Sequence, residues 1–267
     1  MIDKEEENRK VKKRGFMKIT IIGVGNMGTI LARYLSQKHT VVLCDHHLEK
    51  GQAIAAEIGG SFFLDPTEAI SGADLIIFAI KPKDLGGLAR VLLGKISSSQ
   101  SLISILAGVE ISKFKEWFPD STIVRMMPNL AISIGNGLIA FSSPQISVEQ
   151  KKHLDFLFAK MGKVFWIPEN KMNSFASLAA SSPAFIFVLI EAMIEAGIGL
   201  GFSALEAREI VLGVVSGATS LLDQTGKTPG ELKWQVTSPG GTTIKGIKEL
   251  EANSFRIAIW KAIEASS

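Results

Sequence analysis

Two glycine-rich segments carry residue types that hold anions, and they lie more than 200 residues apart. The first is Gly23-Val24-Gly25-Asn26-Met27-Gly28, a G-x-G-x-x-G pattern. The second, Ser238-Pro239-Gly240-Gly241-Thr242-Thr243, combines glycines, which let a backbone approach a ligand closely, with three hydroxyls. The first suits the pyrophosphate of a dinucleotide. The second suits a small anion such as a carboxylate, held by backbone N–H groups. One site of each kind points to an enzyme that moves a hydride onto a small carboxylic acid.

The dinucleotide reading rests on context. Lys18 to Ile22 is a β-rich run that stops at Gly23, and Asn26 to Gln37 has helical spacing with Met27, Ile30, Leu31, Tyr34 and Leu35 apolar. A strand, a glycine turn and a helix N-terminus together present unpaired N–H groups and a positive partial charge to a pyrophosphate. Asp45 closes the next strand, Thr40 to Cys44, 20 residues after Gly25, where an acidic residue binds the ribose hydroxyls. A carboxylate repels a 2′-phosphate, so NADH is slightly favoured over NADPH. His46, His47 and Lys50 follow at once and can offset that repulsion. Ala79, Lys81 and Pro82 end the fourth strand, and ligands of open α/β sheets sit outside the carboxyl ends of strands.

Missing residues narrow the chemistry. Alcohol oxidation needs a general base, usually His, Tyr or Lys. The histidines are His39, His46, His47 and His153, and the single tyrosine is Tyr34. Tyr34-x-x-x-Lys38 matches a short-chain dehydrogenase pair by letter but falls on the first helix. No Cys, His or carboxylate cluster shows metal-ligand spacing, so no metal is expected. Hydride addition to a C=N bond fits better, because an iminium ion is already protonated and the protein mainly binds, orients and excludes water.

These residues need an α/β scaffold and a partner domain. Strand readings at Lys18–Ile22, Thr40–Cys44, Ser61–Leu64, Asp74–Ile80, Ser101–Ile105 and Thr122–Arg125 alternate with helical stretches, which implies a parallel sheet with helices on both faces. Leu138–Phe141 and Val164–Ile167 extend it, with a helix over Val148–Met161 between them. Beyond Pro168 the chain reads as all helix: Met172–Leu200, Ser203–Asp223, Pro229–Val236 and Thr242–Ile263. The expected division is 1–16 as a disordered extension, 17–167 as the dinucleotide-binding domain and 168–267 as an all-helical domain. The run Leu178–Gly201 carries Glu191 and Glu195, costly in a bilayer, so it is expected to be a buried helix. Its apolar faces exceed what about 100 residues can cover, which an interlocked dimer would solve.

Composition agrees. Of 267 residues, 46% are apolar and 21% charged, ordinary for a soluble protein. A net charge of +3 gives no case for nucleic acid, and residues 1–16 supply much of it with six Lys/Arg against four Asp/Glu. The single cysteine, Cys44, excludes an intrachain disulfide framework and fits the cytoplasm.

The segment Pro229-Gly230-Glu231-Leu232-Lys233-Trp234-Gln235-Val236-Thr237-Ser238-Pro239-Gly240-Gly241-Thr242-Thr243-Ile244, continued by Gly246 and Leu250-Glu251, resembles the signature of pyrroline-5-carboxylate reductases. Ile190-Glu191-Ala192, Ala196-Gly197, Val124-Arg125-Met126-Met127-Pro128-Asn129 and Ala79-Ile80-Lys81-Pro82 also match, so the resemblance spans about residues 17–264. It implies a Rossmann-type parallel-sheet domain followed by an all-α dimerisation domain, with dimers that in some members assemble into decamers. The implied reaction takes L-1-pyrroline-5-carboxylate to L-proline with NAD(P)H. By the same resemblance, N–H groups of Gly240, Gly241 and Thr242 hold the substrate carboxylate with help from Ser238. Thr243 bonds the ring nitrogen, and Asn129 joins the cofactor site. Ala180 and Ser182 stand where the family has glycines, Leu130-Ala131 replaces Thr-Pro, and Asn136, Trp234 and Thr228 also depart, marking a diverged member. Two alternatives stay open: a related imine or keto-acid reductase for another small carboxylate, and a non-catalytic nucleotide-binding regulator. A β-hydroxyacid dehydrogenase would need a lysine early on the long helix, and Met172 to Ile190 has none.

Overall fold

The computed structural model describes residues 16–266. The expected extension therefore lies outside the described residues except for Phe16. Eight strands, β1 (Lys18–Ile22), β2 (Thr40–Cys44), β3 (Ser61–Phe63), β4 (Leu75–Phe78), β5 (Ser101–Ser104), β6 (Thr122–Pro128), β7 (Gly137–Ser142) and β8 (Gly162–Trp166), form one sheet in the order β3-β2-β1-β4-β5-β6-β7-β8. The strand order reverses direction at β1, between β2 and β4, which is the Rossmann arrangement.

The sheet is parallel except between β6 and β7. That departs from the fully parallel expectation. Residues 129–136 are too few for a crossover, which needs a dozen or more, so β7 returns antiparallel beside β6. Helices α1 (Asn26–Leu35), α2 (Leu48–Ile58), α3 (Pro66–Ala69), α4 (Leu85–Leu92), α5 (Ile111–Lys115) and α6 (Val148–Phe158) cover the sheet. Strand alternation separates two buried clusters. Ile77 and Ile103 pack with Leu31 and Leu35 on one face, while Ile76 and Leu102 pack with Phe78 and Phe114 on the other. Local signals place the ends: Asp65 caps α3 by accepting the Thr67 N–H at 2.8 Å, with Pro66 following, and Gly59 ends α2 at φ 65°.

The chain divides into compact units Met1–Ala176 and Ser177–Ser267. The break falls nine residues past the expected one because α7 (Met172–Phe175) stays with the sheet, where Met172 is buried against Met127 and Ala140. The single helix expected over Met172–Leu200 is three pieces: α7, a π-helical stretch Ala176–Ser181, and α8 (Ser182–Gly199). Pro183 lies in the first turn of α8; it lacks an N–H and crowds the carbonyl four residues back, so a regular α-turn cannot run through it.

The second unit continues with α9 (Ala204–Thr225), α10 (Pro229–Gln235), α11 (Thr242–Ala252) and α12 (Phe255–Ala265). Capping boxes start α9 at Ser203/Glu206 and α10 at Thr228/Glu231. The run expected over Thr242–Ile263 breaks because Ser254 adopts φ 57°, left-handed. Gly197 lets α8 approach α9, since a Cβ there would stand 3.0 Å from the Ala207 Cβ.

The expectation of a buried long helix needs correction. Glu169–Gly199 is long and apolar enough to cross a membrane, with mean hydropathy 1.8, yet only 11% of its most apolar window is buried within the chain. α8 has no buried residue; Phe187 is 59% and Val188 65% exposed. Among the described residues of the helical unit, Ser177, Ala179, Ala207 and Val211 alone are buried, too few for an independent core.

Candidate active site

The glycine loop turns directly out of β1. Gly23 has φ 105°, and a Cβ there would lie 2.5 Å from the Ala79 carbonyl oxygen, so both backbone shape and β4 require glycine. Gly28 is buried behind the loop, where a Cβ would meet the Gly23 carbonyl oxygen. Gly25 differs: a Cβ there would meet nothing within 4 Å, which leaves open space before the α1 N-terminus. That helix has no side-chain cap, so its first N–H groups remain available to an anion.

Gly23, Val24, Gly25, Asn26 and Met27 line a cleft of about 1120 Å³ together with Asp45, Ala79, Lys81 and Pro82. These are sequence-expected cofactor residues, gathered at the carboxyl ends of β1, β2 and β4. Asn129 is not in that lining; it is 7% exposed, and its Oδ1 accepts the Leu138 N–H at 3.0 Å. Reading by motif missed residues 105–107 at the end of β5 and Leu64 and Pro66 beside β3, which complete the cleft wall. The strand order brings them there.

Asp45 is more engaged than its position in sequence suggests. Its Oδ2 accepts the Val24 N–H at 2.6 Å, and its Oδ1 accepts the His47 N–H at 2.9 Å with His46 Nδ1 3.3 Å away. Asp45, His46 and His47 thus bring one ligand-type atom each within 4.8 Å of one another, a grouping that sequence spacing did not suggest. Beside them Cys44 is buried, and burial, aided by the Asp45 and Asp65 carboxylates, pushes its thiol up to about 12. The thiol is therefore protonated at neutral pH and is no nucleophile.

The second loop forms a tight turn that commits one of the expected donors. Gly241 N–H donates to Ser238 O at 3.1 Å, with Pro239 and Gly240 between them and Gly240 at φ 72°. This matches a type II turn, for which proline presets the first central position and glycine the second. The Gly241 N–H is thus committed to the turn. The N–H groups of Gly240 and of Thr242 and Thr243, at the start of the uncapped α11, are the remaining donors. A Cβ on Gly241 would stand 2.4 Å from Ser238 Oγ, so the serine packs over the glycine. Ser238, Gly240, Thr242 and Thr243 are exposed.

In the matching Val124–Asn129 segment, Arg125 is structural. It is 3% exposed, and its Nη1 donates to Glu169 Oε1 at 3.1 Å; the same oxygen accepts the Ile111 N–H that opens α5.

Residues 169–267 match the model for pyrroline-5-carboxylate reductase dimerisation, and residues 18–108 match one described as NADP oxidoreductase, coenzyme F420-dependent. The chain is 36% identical to the pyrroline-5-carboxylate reductase of Aquifex aeolicus over 257 residues, covering 94% of this chain and 95% of that one. The chain belongs to the pyrroline-5-carboxylate reductase family. The Arabidopsis thaliana reductase is 30% identical over 94% of this chain and 93% of its own. The crystal structure of the Streptococcus pyogenes reductase superposes with a TM-score of 0.88 at 30% identity, covering 94% of this chain and 97% of that one. The Plasmodium falciparum reductase with NADP bound gives 0.85 at 26% identity, covering 94% and 95%.

Membership fixes several expectations. The chain is an oxidoreductase of the NAD(P) class with a Rossmann-type domain and a helical dimerisation segment, and it forms oligomers. α8 lies within the segment that matches the dimerisation model.

Proposed function

We infer that this chain reduces L-1-pyrroline-5-carboxylate to L-proline with NAD(P)H as donor. The observation that carries this reading is the Ser238–Thr243 loop, whose type II turn delivers unspent N–H donors to the N-terminus of the 11-residue α11. The substrate carboxylate is held by the N–H groups of Gly240, Thr242 and Thr243, with the Ser238 hydroxyl beside them; these residues form the substrate subsite. The Thr243 hydroxyl sits in the same first turn and hydrogen-bonds the ring nitrogen, which makes it the catalytic residue of this reading.

When bound, the dinucleotide supplies a hydride. The protein's part is to orient the C=N bond and exclude water. The protonated imine takes the hydride at carbon and becomes an amine without a proton from any side chain. That agrees with a site containing no histidine or tyrosine in the Ser238–Thr243 loop.

Gly23 through Gly28 cradle the pyrophosphate, and Ala79, Lys81 and Pro82 flank the nicotinamide end. Asn129, at the carboxyl end of β6 and fixed by its bond to Leu138, joins the cofactor site in this reading. Asp45 faces the adenosine ribose, and its carboxylate gives NADH a slight advantage. We assign 17–167 to the nucleotide and 168–267 to substrate and dimerisation. The functional unit is a homodimer in the cytoplasm, and light-scattering mass distinguishes it from a decamer.

The test is oxidation of NADH and NADPH, followed at the nicotinamide absorbance, with L-1-pyrroline-5-carboxylate. Rapid turnover supports the assignment. Folded, nucleotide-binding protein without turnover would move it to another small imine or keto acid, or to a regulator.

A further inference from the structure

The corner of the nucleotide cleft beyond Asp45 holds ionisable groups that hydride transfer does not use. His46 and His47 are exposed, their ring centroids are 4.0 Å apart, and both line the cleft with Lys50. His46 Nδ1 lies 3.3 Å from Asp45 Oδ1. α2 begins at Leu48 with no side-chain cap, so its helix dipole points a positive end at the same corner.

We propose that His46 and His47 make the choice between NADPH and NADH depend on pH, by presenting two cations to the 2′-phosphate when protonated and leaving Asp45 to repel it when neutral. This rests on the reading of the cleft as the dinucleotide site, with the adenosine ribose at Asp45.

The local charges decide the sign. On the loop and the first turn of α2, Asp45 and Glu49 oppose Lys50, so neutral imidazoles leave this corner net negative. Asp65, at the start of α3, adds a carboxylate near Cys44. Across the cleft the β4 side contributes Lys81, Lys83 and Asp84. Two protonated imidazoles cancel the excess of carboxylate at the Asp45 corner, leaving the lysines across the cleft unopposed there. Imidazoles change charge between about pH 5 and 8, whereas Asp, Glu and Lys keep theirs there. NADH carries no 2′-phosphate and serves as the internal reference. The phosphate's own second proton leaves near pH 6; it is common to every variant, so a difference in slope between variants belongs to the imidazoles.

The experiment measures dissociation constants of NADPH and NADH by nucleotide fluorescence, without substrate, from pH 6.2 to 8.2. It compares the parent with the double variant His46→Gln/His47→Gln and with Lys50→Gln. The parent's relative affinity for NADPH should rise by about 5-fold as pH falls, the scale of exposed ion pairs acting together. The double variant should lose most of that slope. Lys50→Gln should lower NADPH affinity at every pH and keep the slope. An equal slope in the parent and the double variant overturns the proposal while leaving the dinucleotide site intact. Failure of both nucleotides to bind overturns the dinucleotide reading itself, and the proposal with it.

Discussion

The Asp45 carboxylate accepts the Val24 backbone N–H at 2.6 Å, so the residue proposed to face a ribose also ties the end of β2 to the glycine loop. Replacing Asp45 therefore has two effects that need separating. Asp45→Ala leaves the Val24 N–H without its acceptor and should cost about 1 kcal/mol of stability, while the exposed His47 N–H turns to water. It should also weaken NADH more than NADPH. Asp45→Asn keeps an acceptor for one of those donors and removes the charge, so it should recover part of the stability while still shifting preference toward NADPH. Urea unfolding and nucleotide titration read the two effects. Equal weakening of both nucleotides in Asp45→Asn would deny Asp45 a role at the ribose.

Thr243→Val keeps the shape of the α11 first turn and deletes one hydroxyl. Loss of a hydrogen bond worth about 1–1.5 kcal/mol corresponds to roughly a 10-fold fall in kcat/KM. Nucleotide binding should stay intact. Steady-state kinetics check this, and an unchanged kcat/KM removes Thr243 from the mechanism.

Gly240→Ala places a Cβ at φ 72°, a left-handed conformation that costs an L-residue about 1–2 kcal/mol. The turn should shift to relieve it, taking the Gly240 N–H out of line. We expect KM for the imine to rise several-fold with little change in NADH affinity. Unaltered KM would mean that the loop does not hold the carboxylate.

Cys44 gives a pH dependence. Burial, with Asp45 and Asp65 nearby, raises its thiol from the ordinary 9.0 to about 12. Between these values the unfolded chain has lost a proton that the folded chain retains. Stability should thus fall as pH rises above about 9, and Cys44→Ala should reduce that slope. At pH 8 the native thiol should resist iodoacetamide, because little of it is thiolate. Rapid native-state alkylation would contradict both expectations.

Phe187 and Val188 lie on the uncovered α8, at 59% and 65% exposure. A charge there meets water in the monomer and apolar surface in the dimer. Phe187→Glu should shift light-scattering mass toward the monomer at low protein concentration and lower Tm in a concentration-dependent way. A dimer that persists with unchanged Tm would place the interface elsewhere.

The sequence by itself determined the parts whose signals are local. Gly23 marks the end of β1, Asp65 and Pro66 start α3, and Gly59 ends α2, because strand runs, caps and glycine turns act through neighbouring residues. The glycines of Ser238–Thr243 marked a loop for the same reason, while its turn through Pro239-Gly240 came from the structure. The break inside the run Thr242–Ile263 was not read from the sequence, and only the left-handed Ser254 revealed it. Tertiary structure decided what depends on distance through space. It turned β7 antiparallel, joined Asp45 to Val24 and Arg125 to Glu169, and brought residues 105–107 to the cleft. It also showed α8 uncovered rather than buried. Apolar periodicity states that a helix face must be covered, but not whether the cover comes from its own chain, since hydrophobic burial is non-directional and favours whichever apolar surface is at hand.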